Sequence, residues 1–130
     1  MKHSVKVIMS IVLLTAVIIV VSAITQKVLF TTSGELEKYL AGVENDTVSG
    51  SWENADKSLE KVKEKWAGTK DIWAILIDHQ EIDNIDVTLS RMEKFILSKD
   101  TSSALAEASA LMKYVRHIPR KEALSIENIF

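Results

Sequence analysis

WENADKSLEKVKEKW, residues 52–66, decides the fold. Its apolar residues Trp52, Ala55, Leu59, Val62 and Trp66 follow one another at steps of three and four. That spacing puts all five on one stripe of an α-helix. Lys57, Glu60, Lys61, Lys63, Glu64 and Lys65 occupy the opposite, solvated face, and Ser51 stands where an N-cap belongs. Such a helix has to bury its stripe against other helices, so the segment predicts an all-α protein.

Working outward, the turn-forming run Asn45 to Ser51 predicts a loop. Before it, Leu29, Leu36, Tyr39, Leu40 and Val43 form a second stripe, with Gly34 as its weak point. After it, Gly68-Thr69 is expected to end the helix, and a third helix is expected from about Lys70 to Ser98. The broad apolar face of that third helix, from Ile72 to Ile96, suggests neighbours on two sides. Asp100 is expected to cap a fourth helix that carries Ala104, Ala108, Leu111, Val115 and Ile118. Pro119 is expected to stop it. The apolar tail, Leu124, Ile126, Ile129 and Phe130, is expected to dock.

At the other end, 20 residues from Val7 to Gln26 carry no charge. As a helix they would extend about 30 Å, the thickness of a bilayer core. Residues 1–26 are therefore read as a transmembrane anchor, and residues 27–130 as a small antiparallel bundle of about four helices that continues it. Lys2 and Lys6 precede the run and predict a cytoplasmic N-terminus and an extracytoplasmic bundle. A signal peptide cleaved after Ala23 is the competing reading. Retention is favoured, because the apolar run is long for a signal peptide and no helix breaker separates it from the next helical pattern.

Composition narrows the function classes. The chain has 130 residues, no Cys, one Pro and four Gly. Disulfides, thiolate metal sites and cysteine nucleophiles are excluded. The part beyond the anchor is slightly acidic and has no basic face, so no nucleic-acid partner is expected.

The strip from Trp66 to Ile85 reads W-x6-W-x2-LIDHQEIDNI, and the chain ends HIPRKEALSIENIF. With the S-W-E-x-A helix start at Ser51, these motifs resemble DUF4363, a family of small bacterial proteins of unknown function found mostly in Gram-positive spore formers. Family members have an N-terminal hydrophobic segment followed by helices. The resemblance implies no activity, substrate or cofactor. It does imply a membrane partner, because genes of the family often lie beside one for a multi-pass membrane protein.

The most unusual local feature is the polar run Asp78 to Asp86, which interrupts the widest apolar face. If the third and fourth helices fold back about Lys99–Asp100, His117 falls opposite Ile82, within reach of Asp78, His79 or Glu81. Asp78, His79, Glu81, Asp83 and His117 are thus a candidate cluster. It has three readings: a hydrogen-bond network that locks the helices together, a metal or small-ligand site, or a partner-docking surface. The structural lock is preferred, since most polar clusters on core-facing helices are structural. Trp52, Trp66 and Trp73 are the candidate aromatic core, with sugar stacking and membrane-interface roles as alternatives.

The sequence therefore reads as a non-enzymatic accessory or interaction subunit of a membrane complex, needing no cofactor. A ligand- or metal-sensing domain built on Asp78, His79 and His117 is the alternative. A hydrolase stands third, having no recognisable nucleophile or metal motif.

Overall fold

The computed structural model describes residues 1–129, with side-chain burial through Asn128. Phe130 and the side chain of Ile129, both assigned to a docking tail, lie outside that description. Four helices follow in order: α1 Lys2–Val48, α2 Trp52–Leu76, α3 His79–Leu97 and α4 Thr101–Ile129. Each packs against its two neighbours around an antiparallel ring, α1 with α2 and α4, and α3 with α2 and α4.

The heptad-like spacing of the sequence is the spacing of the core. Buried residues on α1 are Leu29, Ser33, Leu36, Leu40, Val43 and Thr47, at alternating steps of four and three. On α2 they are Ala55, Leu59, Val62, Trp66, Thr69 and Trp73, with the same alternation. A mean step near 3.5 residues keeps each stripe facing its neighbours along its whole length, the packing found in left-handed bundles. The first 21 residues are exposed throughout. Among the described residues, the one helix long and apolar enough to cross a membrane is also a helix whose outer half contributes to the core.

Three expected boundaries differ. First, α1 runs through Gly34 and to Val48, so the loop shrinks to Ser49–Ser51, with Gly50 at φ +71° making the turn. Second, α2 does not break at Gly68-Thr69. A Cβ at Gly68 would meet open space, and Thr69 is buried, its hydroxyl donating to the Lys65 carbonyl at 2.7 Å. A lone glycine costs a helix only about 1 kcal/mol, which tertiary packing overrides. The corner lies instead at Ile77, whose φ and ψ are extended, and Asp78 caps α3 by accepting from the Gln80 N–H at 2.9 Å. Asp78 and Glu81, at the spacing of a capping box, were the signal for that corner. The polar run therefore opens a helix rather than interrupting one.

Third, α4 does not stop at Pro119. It continues to Ile129 with Pro119 inside it and buried. A proline has no N–H to give the carbonyl four residues back, which here belongs to Val115. The buried hydroxyl of Ser33 on α1 donates to that carbonyl at 2.7 Å.

Removing the Ser33 hydroxyl should strand the Val115 carbonyl, so Ser33→Ala is expected to cost about 1–3 kcal/mol. Pro119→Ala restores an N–H at the right place, and in that background the cost of Ser33→Ala should shrink markedly. A double-mutant cycle by chemical denaturation in detergent measures it, and equal costs in both backgrounds would refute the account.

Candidate functional site

The predicted cluster is laid out along two helices, mostly facing solvent. Asp78, His79, Asp83 and His117 are exposed. Asp78 spends its carboxylate on the α3 cap. Glu81 is half-buried and pairs with Lys121 of α4 at 3.2 Å. The fold-back register was read correctly, since Arg91–Glu107 and Glu81–Lys121 pair across it and the turn lies at Ser98–Asp100. His117, however, points outward beside Lys113, Arg116 and Arg120. No hydrogen bond joins His79 or His117 to the carboxylates assigned to them, and no three His, Asp or Glu among the described residues are grouped to hold a metal ion.

A polar lock does exist, one to two turns higher on the bundle and made of other residues. Asp86 on α3 accepts from the Trp66 indole Nε1 at 2.7 Å and from Lys70 Nζ at 2.5 Å. Trp73 Nε1 donates to Thr32 Oγ1 on α1 at 2.8 Å, and that hydroxyl in turn donates to the Val28 carbonyl at 2.7 Å. The two indoles meet edge to face, centroids 5.7 Å apart at 87°, an arrangement favourable beyond the area it buries. Trp66 and Trp73 are buried, and each places its one polar atom on a partner from a different helix. Trp52 is half-buried against the edge of the same core. α2 is thereby tied to α3 through Trp66 and to α1 through Trp73.

Electrostatics around this lock are local. The hydrogen bond to Asp86 raises the Lys70 pKa above its ordinary value, with added attraction from Asp86, Asp83 and Asp71. Lys63 is likewise raised, first by its hydrogen bonds to Glu93 and Glu60. Asp100 is lowered by its bonds to Ser103, as a helix-capping carboxylate should be. Lys63 and Lys70 tie α2 to α3 and Asp100 caps α4, and none lines an enclosed polar cleft.

Comparison with known proteins agrees with this architecture. A family model described as "Domain of unknown function (DUF4363)" matches residues 23–129. The chain belongs to the DUF4363 family. No curated protein and no solved structure matches it. The match begins inside the apolar run of α1 and reaches the end of α4, so the family's domain is the entire bundle.

Asp86 was visible in the sequence, four residues after Ile82 and seven after His79, but nothing local marked it as the partner of Trp66. That pairing needs the α2–α3 corner to be at Ile77, which places the two helices side by side at this height.

Asp86→Ala should cost about 1–3 kcal/mol by stranding the buried Trp66 N–H. Asp86→Asn keeps an acceptor for the indole and should cost less. Because the Lys70 pKa is raised on folding, its contribution is complete below the unfolded value of about 10.4 and is lost as pH climbs through the folded value. The wild-type melting midpoint should therefore fall above that pH, and Asp86→Asn should flatten the fall. A midpoint series on the alkaline side tests both points.

Proposed function

We propose that this DUF4363 protein is a single-pass, membrane-anchored, non-catalytic interaction subunit of a membrane complex. The observation that carries the reading is the continuity of α1. One unbroken helix holds the 20-residue uncharged run and, from Leu29 onward, the buried stripe of the bundle. A tether meant only to prevent diffusion needs no such stiffness. A helix without a joint fixes where the bundle stands relative to the bilayer and which face it presents. The charges flanking the run, Lys2 and Lys6 before it against Lys27 alone close behind it, support a cytoplasmic N-terminus and an extracytoplasmic bundle. The partner that suits this arrangement is a multi-pass membrane protein, which offers both a surface for the exposed apolar span and a rim for the bundle.

Gentle detergent extraction from the native membrane should give the protein in one particle with a multi-pass partner. Interrupting α1 with a short Gly-Ser insertion after Lys27 should release that partner while the bundle remains helical and still melts cooperatively. A monomer in the mildest detergent would sink the proposal. For orientation, the chain's lack of cysteine allows single labels. Leu97→Cys at the far end of the bundle should react with an impermeant maleimide in intact cells, and Lys2→Cys only after permeabilisation.

A further inference from the structure

Two contacts fix how far each helix reaches along α1. Ser33 meets the carbonyl of Val115 on α4, and Trp73 on α2 meets Thr32. In antiparallel helices a step up one chain matches a step down the other, about 1.5 Å at a time. Counting from the first contact sets Arg120 level with Val28, Ala123 with Thr25 and Ile126 with Ser22. The apolar crevice that Ile19, Ser22 and Ala23 share with Ala123 and Ile126 agrees with this register. Counting from the second sets the α2–α3 corner, Leu76 to Asp78, level with Lys27 to Leu29.

The uncharged run of α1 ends at Gln26. The corner therefore lies at the border of the hydrocarbon, and α4 crosses that border, descending about 10 Å below it by Ile129. Large apolar side chains are exposed there, among the polar ones. Ile75 is 84% exposed and Leu124 59%, with Ile72 and Phe30 close behind, all at the end of the bundle nearest the span. Glu127 sits on the crevice that also holds Ser22 and Gln26, so it has polar neighbours at that depth. Just above the border, Lys113, Arg116, His117 and Arg120 line one outward patch of α4. Arg116 pairs with Glu37, whereas Lys113 and Arg120 form no ion pair among the described residues. Counted along α1, the row from Arg120 to His117 stands about 3–8 Å above Gln26, the depth of the headgroup layer, and Lys113 one turn higher can reach down on its flexible stem.

We propose that the bundle is sunk into the leaflet on its own side of the membrane rather than held clear of it. The end of α4 and the α2–α3 corner enter the acyl border, and the Lys113–Arg120 row binds lipid phosphates. A protein partner could also cover exposed isoleucines. Lipid is the occupant here because Leu124 stands level with Ile24, inside the run that lipid would surround, and Ile75 stands level with Phe30, at the height of a cationic row complementary to phosphate. The inference rests on α1 being a membrane span.

The test uses the full chain in lipid nanodiscs of phosphatidylcholine, with and without phosphatidylglycerol. Single cysteines introduced at Val12, Ile75, Leu97 and Leu124 carry nitroxide labels, read by relative accessibility to oxygen and to a nickel chelate. Labels at 12, 75 and 124 should favour oxygen, and the label at 97 should favour nickel. A lipid signal at 12 with water at 75 or 124 overturns the sunken bundle and leaves the anchor intact. Water at 12 overturns the anchor itself. Phosphatidylglycerol should raise the melting midpoint of the wild-type chain by several degrees, and the double variant Lys113→Gln, Arg120→Gln should lose that rise. Equal wild-type midpoints in the two discs would overturn the phosphate assignment.

Discussion

The hydrogen bond from the Ser33 hydroxyl to the Val115 carbonyl is the constraint on which the arrangement of helices depends. Pro119 leaves that carbonyl without its helical donor in the middle of a buried face. Left unpaired, it would be a place for α4 to end or open. A hydroxyl supplied by α1 closes the gap and lets α4 continue for ten more residues. The same bond sets the register between α1 and α4, and with it the level at which the end of α4 meets the apolar run.

The tryptophan pair performs the matching task on α2. Trp66 and Trp73 fill the core in the half nearest the apolar run of α1, and their two N–H groups need acceptors once buried. Asp86 and Thr32 are those acceptors. Three helices are thus pinned, over two turns, by two side chains from a single helix, without a buried charge cluster. The remaining ion pairs, such as Lys65–Glu35 and Lys63–Glu93, are partly exposed and add little each.

Much of this was legible in the sequence. The stripes Trp52 to Trp66 and Ala104 to Ile118 named their helices and their buried faces, because a step of three and four has only one geometric meaning. The uncharged run marked the span candidate for the same reason. Local breakers were read too literally. Gly68 and Pro119 do disfavour a helix, but by amounts that packing or one borrowed donor offsets. The candidate cluster does not come together in the structure, for a different reason. Folding back about Lys99 correctly aligned α3 with α4, yet register along two helices says nothing about rotation around them, and His117 turns outward. Ser33 could not be found at all, since a single serine in an apolar stripe shows no sign of a carbonyl 82 positions away.

A rod of 47 residues that begins in the apolar run and ends at the far tip of the bundle also acts as a lever. Some 20 of those residues stand beyond Gln26, a reach of about 30 Å. Transmembrane helices change tilt when the hydrocarbon around them thins or thickens. With no hinge along α1, a change of about 10° in the span would swing the tip by about 5 Å, a geometric result of that length. On the proposed anchoring, bilayer thickness would become a quantity the bundle converts into displacement, with the fulcrum near Gln26.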